Sequence, residues 1–306
     1  MSECGVSSAR MSETERELAS QPWCWREARA RAPIAALALP RPGERSAAVG
    51  CGTSLYMAQA YARLREDAAH GETDAFAASE FPDARRYDRV VAITRSGTTT
   101  EVVRLLDALR GSGVAATVVS AVADSPAARA AADAVILEFA DERSVVQTRF
   151  ATSALALLRS TLDDDVEPAA VAAEGVLAGD APVADPGAVD HVVFLGHAWS
   201  VGIANEAALK LREAAQVHTE SYPAMEYRHG PVSLAGPSSL VWIVGSPDPS
   251  VAAEVRATGA TVLERPPDRD PLAELVSIQR FAVALAAARG LDPDRPRHLT
   301  RSVVLS

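Results

Sequence analysis

The sequence predicts an α/β protein built from doubly wound parallel sheets in two tandem units, and three observations carry that prediction. Short apolar runs ending in glycine or a hydroxyl alternate with segments of helical spacing, the pattern of strand, tight loop and helix. That pattern lapses after residue 165 and restarts at residue 191, an offset of about 146 residues that reads as duplication of one α/β unit. With 306 residues, 48% of them hydrophobic, the chain is globular and long enough for two domains.

Taken in order, residues 12–39 predict a leading helix with apolar Trp23, Ile34, Leu37 and Leu39, interrupted at Pro22 and Pro33. SAAVG (46–50) predicts a strand, and Thr53 to Arg65 a helix with apolar spacing at Leu55, Ala58, Tyr61 and Ala62. RVVAI (89–93), the loop TRSGTTT and the helical run Glu101 to Arg110 repeat that unit. VAATVVS (114–120) and AVILEF (134–139) predict two more strands either side of an alanine-rich helical segment. Residues 144–162 read as a closing helix, and 163–190, acidic and then rich in alanine and proline, as a partly helical linker. HVVFLGHAWS (191–200), then SSLVWIVGS with a helical run behind it, then TVLER, restate the first unit without its hydroxyl-rich loop. PRHLTRSVVLS is expected as an extended tail packed back on the core. The resulting domains are an N-terminal extension and leading helix (1–40), a first α/β domain (41–165), a linker (166–188) and a second domain with the tail (189–306).

Charge and composition narrow the function. A net charge of −10 repels phosphodiester backbones, which argues against nucleic acid as a partner while leaving small anions open to local loops. Cys4, Cys24 and Cys51 are odd in number, without a CxxC pair or metal-ligand spacing, as in a reduced cytoplasmic protein. No run approaches bilayer-spanning length, and the polar, acidic N-terminus is unlike a signal peptide, so no membrane association is expected. Met11 offers a second start, with the first ten residues as an extension.

Two loops suit an anion. In a parallel sheet, loops after the strands share one edge, where helix N-termini offer free N–H groups. GCGTS (50–54) supplies glycines and two hydroxyls, and TRSGTTT (94–100) five hydroxyls and an arginine around one glycine. Either loop alone reads equally well as helix caps and turns; two at equivalent edges suit a phosphate monoester. Neither GxxxxGK[ST] nor GxGxxG occurs, so a nucleoside triphosphate or dinucleotide is not indicated.

Chemistry concentrates in NEAALKLREAAQVHTESYPAMEYRHGP (205–231). On a helix, Glu206, Lys210 and Glu213 fall within an arc of about 60° over roughly 10 Å of axis, opposite Ala204, Ala208, Leu211 and Ala215. Glu213 suits a general base, Lys210 a cation for a developing enediolate, Glu206 a partner holding that lysine, and His229 a ring-opening acid/base. Spacing alone favours the plainer alternative, a solvent-exposed helix pair of ~0.2–0.5 kcal/mol with Glu213 as one more surface charge. His197, His218 and His298 have no spacing that favours ligation, and Cys51 reads as a small buried residue.

These motifs, together with ERSVVQT (142–148), EYRHGP (226–231) and PRHLTRSV in the tail, resemble the sugar isomerase (SIS) domain family, above all the isomerase half of glucosamine-6-phosphate synthase and its stand-alone relatives. The resemblance covers nearly the whole chain. It implies two flavodoxin-like, three-layer SIS subdomains, each with a five-stranded parallel sheet, in a homodimer. By position it makes Thr53, Thr94, Ser96 and Thr99 phosphate ligands, with Cys51, Gly52, Ser54, Arg95 and Arg301 completing the expected sugar-phosphate contacts. It makes Glu213 the isomerisation base, Lys210 and Glu206 its helical partners, and His229 the ring-opening histidine, supplied by the neighbouring subunit. Arg95 stands where the synthase has glutamine, and Arg301 where it has a Schiff-base lysine; a guanidinium holds its proton too firmly to attack a carbonyl. No glutaminase unit is expected ahead of the first strand, so glutamine-dependent synthesis is not expected.

The implied activity is an isomerase/deaminase acting on a hexosamine 6-phosphate, without metal or organic cofactor. One alternative is a dehydratase or lyase that starts from the same C2 proton and expels the C3 substituent, with N-acetylglucosamine 6-phosphate as a substrate. Another is a sugar-phosphate-binding regulator without catalysis, disfavoured by an N-terminus too short and acidic for a DNA-binding domain.

Overall fold

The computed structural model describes residues 11–179, 189–264, 266 and 268–305. The expected extension over the first ten residues and the end of the expected linker, 180–188, lie outside the described residues.

The leading segment forms two helices, α1 (Glu13–Ala19) and α2 (Gln21–Ala35), which meet at Ser20. Ser12 caps α1 through a capping box with Glu15. Pro22 sits in the first turn of α2, where its missing N–H costs nothing, and Pro33 lies in the last turn, so neither interrupts it. The apolar residues noted in the sequence do not mark the buried face. Cys24, Trp25, Ala28, Ala32 and Ala35 are inside together with Leu39, whereas Trp23, Ile34 and Leu37 are exposed.

The first sheet contains β1 (Ser46–Gly50), β2 (Thr73–Ala77), β3 (Arg89–Thr94), β4 (Ala115–Ser120) and β5 (Asp133–Ile136), all parallel in the order β2-β1-β3-β4-β5. Helices α3 (Thr53–Asp67), α4 (Thr100–Arg110) and the short α5 (Pro126–Ala130) connect these strands. Then come α6 (Arg149–Ser160), shorter than the closing helix expected over 144–162, and α7 (Glu167–Ala178) within the expected linker. Edge strand β2, TDAFA, was missed because it holds no apolar run.

The second sheet repeats the order. Strands β6 (His191–Gly196), β7 (His218–Pro223), β8 (Ser239–Val244) and β9 (Thr261–Leu263) run parallel as β7-β6-β8-β9, with helices α8 (Ser200–Ala215) and α9 (Ser250–Ala257). Among the described residues this sheet has four strands, not the five expected. After β9 the chain enters α10 (Pro271–Ala288), a helix missed from sequence, where the first unit places α5 and β5. By length and composition α10 is apolar enough to cross a membrane, which corrects the expectation that no run approaches that length. It is nevertheless 67% buried within the fold, as a core helix is.

One core spans both units. Trp25, Ala48, Val91, Phe150, Phe194, Trp242 and Phe281 belong to it, so helices packed between the two sheets share a single apolar layer. Separate clusters cover the outer faces of the first and second sheets. Within the shared layer α3 and α8 approach closely: a Cβ on Gly202 would lie 2.5 Å from the Tyr56 carbonyl oxygen. The expected tail packs back on the first unit, where the Thr100 N–H donates to Val303 O at 3.2 Å.

Candidate active site

Because β1 and β3 are adjacent and parallel, the loops that follow them lie side by side at one sheet edge. Each depends on a glycine. A Cβ on Gly50 would meet the Ser54 backbone carbon at 2.5 Å, so only glycine lets the chain turn straight into α3. Gly97 has φ +65°, and a Cβ there would lie 2.1 Å from Ser125 Oγ, which fixes glycine at the tip of the second loop.

The two loops enclose a polar cavity of about 30 Å³. Cys51, Ser54, Thr94, Arg95, Ser96, Thr99 and Arg301 line it, seven of the residues expected from sequence to contact a sugar phosphate. Gln147 also lines it and was missed as a site residue, although it lies in the ERSVVQT stretch. Its Oε1 is buried without a hydrogen-bond partner among the described residues. Burial, with the Glu101 charge nearby, pushes the Cys51 thiol up, so it stays protonated.

Arg95 is buried, and its guanidinium lies 3.5 Å from the carboxylate of fully buried Glu142. Burial raises the Glu142 carboxyl above its ordinary value, against the pull of Arg95. Glu142 was also missed, since its part is to accept backbone N–H groups from Thr148 at 2.6 Å and Arg149 at 2.8 Å, which spacing does not reveal. Arg301 turns its guanidinium to the Glu142 carbonyl and the Asp141 carboxylate.

The charged stripe of α8 is not a surface feature. Glu206 and Lys210 are each 1% exposed, which rules against the solvent-exposed pair and against a helix presenting one charged face to water. Lys210 Nζ lies 2.5 Å from Glu213 Oε2 and 3.4 Å from Glu206 Oε1, and donates to Thr53 Oγ1 at 3.2 Å. Thr53, the first residue of α3 behind Gly52 (φ +55°), thereby joins the first loop to the stripe across the two units. Burial pushes the Glu206 carboxyl up to about 7, with Lys210 pulling it down and Glu213 adding to the rise. Burial alone would lower the Lys210 ammonium, but Glu206 and Glu213 outweigh it and hold it above its usual value. A carboxylate paired with a buried cation and still partly open to solvent, as Glu213 is at 18% side-chain exposure, can take and return a proton.

His229 is not brought to this cluster within one chain. It ends a short 3₁₀ turn, Glu226–His229, is exposed, and its side chain has no hydrogen-bond or ion-pair partner among the described residues. No group of histidine, cysteine and carboxylate side chains that could hold a metal ion occurs among the described residues.

No family model matches the chain. The glutamine–fructose-6-phosphate aminotransferase (isomerizing) of Sulfurisphaera tokodaii is 28% identical over 298 residues, covering 86% of this chain and 50% of that protein. The enzyme of the same name from Aeropyrum pernix is 35% identical over 139 residues, 37% of this chain and 22% of that protein. The chain thus spans half or less of the length of these two relatives. Among solved structures, glucosamine-6-phosphate deaminase from Thermotoga maritima matches with a TM-score of 0.79 and 26% identity, over 96% of this chain and 100% of that one. The C-terminal domain of glucosamine-fructose-6-phosphate aminotransferase from Francisella tularensis has the same fold, with a TM-score of 0.76 at 21% identity over 94% and 99% of the two chains. The chain is therefore homologous to the isomerase (SIS) part of these aminotransferases and has the fold of SIS-domain phosphosugar enzymes.

Proposed function

We propose that this chain, a relative of the SIS phosphosugar enzymes, is an isomerase/deaminase that converts glucosamine 6-phosphate and water to fructose 6-phosphate and ammonia. The observation that carries the reading is the buried Lys210, which contacts the candidate base Glu213 and the phosphate-loop residue Thr53 at once. A substrate held by its phosphate in the hydroxyl-lined cavity would extend along the sheet edge toward that pair.

In this reading the ring opens to the aldehyde, with His229 of the partner subunit in a homodimer moving the proton between the ring oxygen and the C1 hydroxyl. Glu213 removes the C2 proton. Lys210 stabilises the negative charge that develops on the enediol oxygen, and the proton returns at C1. As an amine proton passes to the C1 oxygen, the C2 amine becomes a ketose imine, and water adds at C2 and releases the nitrogen as ammonia, leaving the C2 ketone. Glu206, neutral or charged near pH 7, fixes Lys210 from the buried side.

A second reading, elimination of the C3 substituent from N-acetylglucosamine 6-phosphate after the same proton abstraction, is favoured by Arg301. Its guanidinium is engaged by Asp141 and the Glu142 carbonyl, so covalent capture of a ketose at this tail position is not available. Incubation with each sugar phosphate, scored by product mass and ammonia release, tests the first reading. Ammonia with fructose 6-phosphate from the free amine supports it. An unsaturated product without ammonia, or no turnover of either sugar, overturns it.

A further inference from the structure

We propose that Arg95 is a positioning residue that fastens the C-terminal tail to the phosphate loop, so that filling of the anion cavity and closure of the tail over it form one event. For the natural ligand this rests on the sugar-phosphate reading above; the coupling itself rests on geometry.

Arg95 follows β3 directly and is 2% exposed. Its guanidinium donates to the carbonyls of Ser144 at 2.9 Å and Val145 at 3.3 Å, and to that of Arg301 at 2.8 Å. One side chain thus holds the loop before α6 and the tail against the loop after β3. Arg301 reciprocates by donating to the Glu142 carbonyl, and the Glu142 carboxylate pairs with Arg95. Beyond Arg301 the tail lies along the start of α4. Thr98 Oγ1 donates to Ser302 Oγ at 2.9 Å, and the Leu305 N–H donates to Thr100 Oγ1 at 2.9 Å.

Arg95, Gln147 and Arg301 line the cavity together. A guanidinium in the cavity wall offers charge-assisted N–H donors to an anion placed there. The same guanidinium therefore faces two demands, the tail carbonyl and the ligand. Only a planar, permanently charged fork meets both: lysine keeps the charge but lacks the fork, and glutamine lacks the charge.

The test is hydrogen–deuterium exchange of peptides covering residues 98–105 and 299–306, with and without inorganic phosphate, in the wild type, Arg95→Lys and Arg95→Gln. In the wild type, phosphate is expected to slow exchange in both peptides. In both variants the tail is expected to exchange faster without ligand, phosphate to bind about tenfold more weakly by calorimetry, and phosphate protection of the tail to vanish. Thermal unfolding identifies a variant that fails to fold; should Arg95→Gln do so, Arg95→Lys decides. Wild-type exchange and phosphate affinity in a folded Arg95→Lys, or a wild type whose tail ignores phosphate, overturns the proposal. Because the probe is phosphate alone, an enzyme that turns over no hexosamine phosphate but keeps this coupling refutes the proposed reaction and not the role of Arg95.

Discussion

Asn205 on α8 donates a hydrogen bond to Gln59 on α3 at 2.8 Å, and the two residues are 146 positions apart. That separation matches the offset at which the strand pattern restarts, so the bond joins equivalent points of the two units. At this join the stripe of one unit meets the loop after β1 of the other. Five residues along α8, Lys210 reaches Thr53 at the start of α3.

Replacing Glu213 with glutamine is expected to lower turnover by about 10²–10⁴-fold while sugar-phosphate binding stays within a few-fold of wild type. Steady-state kinetics and calorimetric titration on the same preparation provide the check. Undiminished turnover would remove Glu213 from the role of base, and a wild type that binds sugar phosphate without turning it over would make the chain a sensor.

The stability of the fold is expected to depend on pH through Glu206. The folded protein keeps the Glu206 proton up to about 7, whereas an unperturbed carboxyl releases it at 4.5. Between those values the folded state binds more protons than the unfolded one, so the contribution is fully present below the lower value and is lost as pH rises through the upper one. The difference amounts to about 3 kcal/mol at most. Glu142, also raised, acts in the same direction. Urea unfolding at pH 5 and pH 7.5 should therefore show a shallower pH dependence in Glu206→Gln than in the wild type; equal slopes would contradict it.

Gly202→Ala is expected to destabilise the protein by about 1–3 kcal/mol, the usual cost of overpacking. The added methyl meets the Tyr56 carbonyl oxygen at 2.5 Å and the Ala60 nitrogen at 2.8 Å, backbone atoms that cannot rotate away. Denaturant unfolding measures the loss, and a neutral result would show that α3 and α8 can separate without harm to the core.

Cys51 lines the cavity with a thiol held protonated by burial. Alkylation is expected to be slow at pH 7, to accelerate above pH 9, and to be blocked by a bound sugar phosphate. Peptide mass mapping after timed exposure to iodoacetamide checks all three; labelling of Cys51 that a saturating sugar phosphate leaves unchanged would place the ligand elsewhere.

The alternation of apolar runs with helical segments determined the parallel sheets, because a central strand buried on both faces must be apolar through its middle, as SAAVG, RVVAIT and SLVWIV are. Edge strands β2 and β7 escaped this logic: TDAFA and HTESYP are only partly buried and carry polar residues. The glycines and hydroxyls of the two loops were legible as well, since a tight turn onto a helix N-terminus demands those residue types wherever it occurs.

For the stripe, sequence fixed which residues share a face of α8 but not what covers that face. Helical spacing is the same for a solvated ion pair and for a buried one. Packing of α3 from the first unit against α8 from the second removed Glu206 and Lys210 from water, and that burial turned an ordinary helix pair into a coupled acid–base group. Arg95 and Glu142 follow the same rule. Their chemical types stand in the sequence, but the carbonyls that Arg95 holds come from distant segments, and only the tertiary structure brings them, and the Glu142 carboxylate, to its guanidinium.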